Sequence, residues 1–347
     1  MERFFNNAGP TVPADHYHID PLSRVDWEDI EHLIAQKRYF VFHAPRQTGK
    51  TTTLLAMMQA LNEQGDYACA YANIEGAQAA RGDESKGIPT VCSALARSLE
   101  DYLDAEEVNV WWHETGRYEQ PQDQVTQLLR FWAKQSALPT VLFLDEVDAL
   151  VGDTLISLLR QLRAGYAQRP AAFPQSIILC GVRDVRDYRL HQAGAEVITG
   201  GSAFNIKAES LRMGSFTYEE CEQLWCQHTE ATGQAFDSRI FPELWEDTRG
   251  QPWLVNALGH ELTWEYKPAR ERSRLLTLED YRAAREKLIQ SRATHLDQLT
   301  DKLREPRVCR VIKLLLASED SAQRMPVDDL QYVEDLGLIE RLPTLRI

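Results

Sequence analysis

Short apolar runs alternate with amphipathic stretches over roughly the first 210 residues. The apolar runs are Tyr39–Phe42, Tyr67–Ile74, Thr140–Leu144 and Ser176–Gly181, with a shorter one at Ala203–Ile206. Between them, apolar residues recur at helical spacing, for example Leu54, Met58 and Leu61, and Pro89–Asp104 is another such helix. Uninterrupted apolar runs are typical of strands buried on both faces of a parallel sheet. The pattern predicts an α/β domain with a parallel sheet of five strands flanked by helices.

The pattern changes to helices alone from Ser215 onward. Thr217–Glu220 and Thr277–Asp280 have the sequence of capping boxes, and Gly233 is a helix stop signal. Gly250–Trp253 opens a further helix with a proline near its first position. The last segment is predicted to hold an apolar helix, a second short helix near Val327–Leu336 and the start of a small wing.

The loop after the first apolar run has the composition of a phosphate-binding loop. It reads Ala-Pro-Arg-Gln-Thr-Gly-Lys-Thr and is followed by a helix. Backbone N–H groups of such a loop cradle phosphate oxygens, a lysine reaches the β- and γ-phosphates, and a hydroxyl binds Mg²⁺. The predicted nucleotide-binding residues are Pro45, Arg46, Gln47, Thr48, Gly49, Lys50, Thr51 and Thr52. Ala44 replaces the glycine of the usual pattern, which predicts a negative φ at Ala44.

Two carboxylates end the Thr140–Leu144 run. Asp145 is predicted to hold Mg²⁺ together with Thr51, and Glu146 is predicted to be the general base that activates water. Lys50 is expected to take part in catalysis through the phosphates. Arg183, after the next apolar run, is predicted to supply positive charge to the transition state; the alternative is a local salt-bridge network around it.

Composition limits the classes of partner. The chain has 347 residues, a net charge of −14 and a pI of about 5.2, which is the wrong sign for a protein that coats nucleic acid or anionic membrane. The second helix of the last segment carries Asp328, Asp329, Glu334 and Asp335, and these acids are expected to face outward and repel DNA. No signal peptide or apolar membrane span stands out, so a cytoplasmic protein is predicted.

Several motifs together resemble the prokaryotic AAA-like ATPases of the archaeal-ATPase and STAND type. They are Ala44–Thr51, Leu144–Asp148, Cys180–Tyr188, Phe204–Lys207 and Gly250–Asn256. The resemblance covers nearly the whole chain and implies a five-stranded parallel sheet, a helical lid and a winged helix. It also implies that the Gly250-Gln251-Pro252 turn packs against adenine, so Pro252 is a predicted nucleotide-binding residue.

The predicted domains follow from these motifs. Residues 1–30 are an N-terminal arm packing on the nucleotide-binding core, 31–212 the P-loop ATPase domain, 213–304 a helical lid, and 305–347 a winged-helix-like module.

The predicted function is Mg²⁺-dependent hydrolysis of ATP to ADP that moves the lid and signals to a protein partner or to further copies through the C-terminal module. One alternative is a nucleotide-binding adaptor with negligible hydrolysis. Another is a DNA-associated accessory ATPase, which the charge disfavours.

Overall fold

The computed structural model describes residues 2–182, 189–190, 198–199, 207–291, 302–317, 325–341 and 345–346. Contacts between residues divide the chain into two compact units. The sheet unit comprises residues 25–44 and 53–213. The helical unit comprises residues 1–24, 45–52 and 214–347, so the phosphate-binding loop groups with the helical part of the chain.

The sheet unit is built on the predicted five-stranded parallel sheet. Its strands are β1 (Tyr39–His43), β2 (Ala68–Asn73), β3 (Thr140–Asp145), β4 (Ser176–Gly181) and β7 (Lys207–Arg212), in the order β2-β3-β4-β1-β7. An antiparallel pair, β5 (Arg189–Leu190) and β6 (Ile198–Thr199), lies between β4 and β7 in sequence. Every residue of β1, β3 and β4 is buried, which requires cover on both faces of the sheet. The run predicted at Ala203–Ile206 falls outside the described residues.

In the described part of the sheet unit, six helices flank the sheet or lead into it. They are α1 (Trp27–Ala35), α2 (Lys50–Gln64), α3 (Glu84–Leu103), α4 (Glu106–Glu114), α5 (Pro121–Gln135) and α6 (Gly152–Gly165). The third begins at Glu84, before the predicted start at Pro89. Pro89 lies inside this helix and lacks a backbone N–H, so one helical hydrogen bond is lost. The side chain of Ile88, just before it, is fully buried in the core, and this burial offsets the lost bond.

The helical unit has its own core, centred on Trp225. Its helices here are α7 (Tyr218–Thr232), α8 (Ile240–Thr248), α9 (Pro252–His260) and α10 (Leu278–Gln290). Both predicted capping boxes are formed, and Gly233 ends α7 in the left-handed conformation. The rings of Phe5, Phe236, Phe241 and Tyr281 surround the indole of Trp225.

The N-terminal arm contributes aromatic side chains to this core. Phe5 and Tyr17 are almost fully buried among the side chains of the helical unit. The Tyr17 hydroxyl also hydrogen-bonds His228 of α7 at 3.1 Å. Aromatic side chains in an irregular segment do not reveal by themselves which apolar surface they will cover.

The described residues of the C-terminal segment form two helices and a two-stranded ribbon, the elements of a winged helix. They are α11 (Pro306–Ala317), α12 (Val327–Asp335), β8 (Glu340–Arg341) and β9 (Leu345–Arg346), with the two strands antiparallel. Val308, Val311, Leu315, Val333 and Ile339 form their shared core.

The predicted acidic face of α12 is not observed. Asp329, Glu334 and Asp335 are buried, whereas Asp328 is exposed. Asp329 pairs with Arg307 at 2.6 Å and with Arg310 at 2.7 Å, and these arginines hold the pKa of its carboxyl below the usual value against the opposing effect of burial. Because three of the four acids are buried, this helix does not present the acidic face that was expected to repel DNA.

No helix in the described part of the chain is long and apolar enough to cross a membrane.

Candidate functional site

The phosphate-binding loop follows β1 and leads directly into α2, whose first residue is Lys50. Two residues of the loop have left-handed backbones, Gln47 with a φ of 59° and Gly49 with a φ of 93°. Ala44 is buried and has no positive φ, which confirms the prediction for that position. The left-handed backbones therefore occur later in the loop than the position of the missing glycine. A left-handed backbone at Ala44 itself would have been strained.

Inside the loop, two donors converge on one carbonyl oxygen. The Thr48 hydroxyl donates to the Pro45 carbonyl at 2.8 Å, and the Lys50 ammonium donates to the same oxygen at 2.9 Å. Both donor side chains are buried. These bonds draw the two ends of the loop together and hold the lysine at the start of α2, where the positive end of the helix also attracts anions.

Three successive carbonyls of the loop accept hydrogen bonds from the rest of the helical unit. Arg24 donates through Nη1 to the Thr48 carbonyl at 2.8 Å. The Gln251 side-chain amide lies 3.4 Å from the Arg46 carbonyl and 3.3 Å from the Gln47 carbonyl, and it donates to both. Neither contact is predicted by the sequence, because Arg24 has no motif around it and Gln251 stands out only as the middle residue of a turn.

The N-terminal arm contributes one more contact at the start of α2. The Thr11 backbone N–H donates to the Thr52 hydroxyl at 3.1 Å. Thr52 was predicted from its place in the motif to contact nucleotide. The arm therefore reaches the same helical turn as the phosphate-binding residues.

The turn before α9 is built as predicted, and its glutamine makes the contact with the loop. Pro252 is the first residue of α9, and Gln251 caps the helix by accepting from the Leu254 N–H at 2.6 Å. Gly250 has a φ of 70°, and a Cβ there would lie 2.0 Å from the Phe216 carbonyl oxygen, so only glycine fits. The proposed contact of Pro252 with adenine stays a prediction.

The acid pair at the end of β3 lies in the sheet unit. Asp145 is fully buried, and its carboxylate accepts from the Tyr71 hydroxyl of β2 at 2.9 Å and from the Glu146 N–H at 2.9 Å. Glu146 has a left-handed backbone, with φ 59° and ψ 39°. A non-glycine residue in this conformation is uncommon and is often found at functional sites. Tyr71 is a further residue that the sequence did not single out.

Arg183, the predicted source of positive charge, lies outside the described residues.

Comparison with known protein families identifies the domain that contains the parallel sheet. Residues 34–188 match the family model described as an AAA domain. That match includes both the phosphate-binding loop and the acid pair. This part of the chain is an AAA domain of the P-loop ATPase type. No curated protein matches the chain by sequence.

Solved structures resemble the chain well beyond its AAA domain. A Walker-type ATPase of Pyrococcus abyssi aligns with a TM-score of 0.62 and 14% identity, covering 99% of this chain and 96% of that one. Cdc6p of Pyrobaculum aerophilum aligns with a TM-score of 0.52 and 15% identity, covering 92% and 87%. The ORC1 protein of Aeropyrum pernix, solved in complex with DNA, aligns with a TM-score of 0.51 and 13% identity, covering 98% and 89%. At these identities the likeness establishes the fold: a P-loop domain followed by a helical part and a winged helix.

Proposed function

We propose that the chain is a Mg²⁺-dependent ATPase. The observation that carries this proposal is the ordered acid pair of the AAA domain. Asp145 is buried with its carboxylate oriented by two donors, and Glu146 is held in an uncommon backbone conformation beside it. A module that only binds nucleotide has no need of a positioned second carboxylate, so the pair favours hydrolysis over a binding adaptor.

The residues of the loop divide the work of binding. Backbone N–H groups of residues 46–52 and the Lys50 ammonium hold the phosphates. The Thr51 hydroxyl and the Asp145 carboxylate are the proposed magnesium ligands, and hard oxygen ligands of this kind suit that ion. Bound Mg²⁺ neutralises charge that develops on the phosphate oxygens. Glu146 accepts a proton from the attacking water, and Arg183 stays the predicted source of additional positive charge.

The second part of the proposal is that nucleotide binding changes the conformation of the helical lid. Gln251 and Arg24 both contact carbonyls of the phosphate-binding loop, and both belong to the helical unit. These contacts support a coupling of nucleotide binding at the loop to the conformation of the helical lid. Signalling to a protein partner, or assembly of several copies through the C-terminal module, remains the proposed use of that change.

Release of phosphate from ATP by the Glu146→Gln variant tests the central proposal. Loss of a general base is expected to lower turnover by about 10²- to 10⁴-fold. Binding of ATP should persist, because the loop is unchanged. Glu119→Gln, which alters an exposed carboxylate of the same unit, should behave like the wild type. Unchanged turnover in Glu146→Gln would exclude the assigned base, and absence of ATP binding by the wild type would exclude the proposal.

A second candidate is a DNA-associated ATPase. The burial of three of the four acids of α12 removes one argument against it, and the ORC1 protein with a similar fold was solved with DNA. The overall charge of −14 still opposes it. Anisotropy of a labelled DNA duplex, titrated with the protein at several salt concentrations, separates the candidates. Binding that weakens steeply with salt supports DNA association, and no binding at low salt rejects it.

A further inference from the structure

We propose that Arg24 is a positioning residue for the nucleotide, acting through the backbone of the phosphate-binding loop. The inference rests on the proposed function, since it concerns how the same loop binds phosphate. Arg24 lies in the N-terminal arm and belongs to no motif of the sequence.

The guanidinium of Arg24 is fixed from three sides. Nη1 donates to the Thr48 carbonyl at 2.8 Å, and Nη2 donates to the Gly214 carbonyl at 2.7 Å. The Phe216 ring lies beneath it, 4.6 Å from the guanidinium carbon to the ring centre. Burial lowers the pKa of Arg24 to about 10, so the side chain remains charged at neutral pH. Removing part of this charge from water costs free energy, which the two hydrogen bonds and the ring contact offset.

The contact with Thr48 acts on the donor that faces the phosphates. The carbonyl of Thr48 and the N–H of Gly49 belong to one peptide group, so a charge-assisted bond to the oxygen makes the N–H a stronger donor. The Arg24 Nη1 lies so close to Gly49 that a Cβ on Gly49 would be 3.0 Å from it. Arg24 therefore holds this peptide in the orientation that the phosphate requires and adds positive charge behind it.

The second contact ties the loop to the start of the helical chain segment. Gly214 is the residue at which the chain leaves the sheet unit for the helical unit. Its carbonyl and the Thr48 carbonyl are held by the two ends of one rigid, planar fork. Lysine has a single ammonium on a flexible stem and cannot reproduce both bonds in the same geometry.

Nucleotide binding by Arg24 variants tests this role. In Arg24→Gln, affinity for ATP and ADP is expected to fall by the same factor of roughly tenfold, the size of one charge-assisted hydrogen bond. The equal factor follows because loop N–H groups contact the phosphates that both nucleotides share. The value of kcat at saturating ATP should change by less than about threefold, since the acid pair is untouched. Arg24→Lys should recover part of the affinity.

Two further variants keep the test decisive. Phe216→Leu removes the ring beneath the guanidinium but leaves both carbonyls, and a smaller loss of affinity is expected. Arg38→Gln alters an exposed arginine and should match the wild type. If Arg24→Gln does not fold, the affinities of Arg24→Lys and Phe216→Leu for ATP and ADP are measured instead.

The outcomes separate this inference from the proposed function. If the wild type binds and hydrolyses ATP while Arg24→Gln, Arg24→Lys and Phe216→Leu bind as tightly as Arg38→Gln, the role of Arg24 is wrong and the ATPase proposal stands. A selective loss of ATP affinity with ADP affinity unchanged would also overturn it, since it would indicate a contact with the terminal phosphate. If the wild type binds neither nucleotide, both proposals fail.

Discussion

The phosphate-binding loop and the acid pair are held in different ways. Asp145 is oriented by Tyr71 on the adjacent strand and by the N–H of the next residue, all within the sheet unit. Three carbonyls of the loop instead accept from Arg24 and Gln251, which are distant in sequence and belong to the helical unit. Contacts within the sheet unit orient the Asp145 carboxylate, which is proposed for chemistry, whereas residues of the arm and the helical part contact the loop proposed for binding.

This difference predicts that the two kinds of defect will separate. Damage within the helical unit should weaken nucleotide binding through the loop. Damage around Asp145 should lower turnover and leave binding largely intact.

Trp225→Ala should remove the centre of the helical core. The side chain is fully buried, is surrounded by aromatic rings and donates through Nε1 to the Val255 carbonyl at 3.2 Å. Truncation is expected to lower the free energy of unfolding by about 3–5 kcal/mol. Affinity for ATP should fall with it, because Gln251 caps α9, and the Val255 carbonyl of that helix accepts the hydrogen bond from Trp225.

Unfolding in urea, followed by circular dichroism, measures the loss. Trp264→Ala is the matched control, since half of the Trp264 surface is exposed, and it should cost far less. Equal losses in the two variants would show that the helical core is not organised around Trp225.

Tyr71→Phe should affect the acid pair alone. It removes the hydroxyl that donates to the buried Asp145 carboxylate, and an acceptor left without this donor is expected to cost about 1–3 kcal/mol of stability. Turnover should fall because the carboxylate is less well oriented, while ATP affinity should stay close to that of the wild type.

Tyr102→Phe provides the control for this variant. Its ring lies 6.2 Å from that of Tyr71, but the side chain is partly exposed. Steady-state release of phosphate together with a binding titration separates the two effects. A loss of affinity in Tyr71→Phe as large as that in Arg24→Gln would break the comparison between the two regions.

The smallest expected effect is a dependence of stability on pH at the arm. His228 is buried between the Tyr17 hydroxyl at 3.1 Å and the side-chain Oε1 of Gln234 at 3.0 Å, and burial lowers its pKa below 6.5. The unfolded chain binds a proton near pH 6.5 and the folded chain does not, so this histidine favours unfolding increasingly as the pH falls below that value.

Thermal unfolding of the wild type and of His228→Gln measures this contribution. Between about pH 7.5 and about pH 5.5, the wild type should lose more stability than the variant. Carboxylates and His16 titrate in both proteins, so their contributions cancel in the difference. Parallel curves for the two proteins would show that His228 is protonated as readily in the folded chain as in the unfolded one.

Sequence alone determined the elements whose signals are local. The parallel sheet follows from apolar runs, and the capping boxes at Thr217 and Thr277 follow from side chains that bond backbone three residues away. The phosphate-binding loop and the acid pair were found for the same reason, since each is contiguous. Even the negative φ of Ala44 could be predicted, because backbone strain depends on the residue itself.

Tertiary structure decided everything that depends on a distant partner. The arm joined the helical core because Phe5 and Tyr17 are buried there. Asp329 was turned inward because Arg307 and Arg310 of another helix pair with it. Arg24 contacts the phosphate-binding loop, and Tyr71 contacts the acid pair. No spacing in the sequence predicts either contact, because folding brings together residues whose separation along the chain carries no periodic signal.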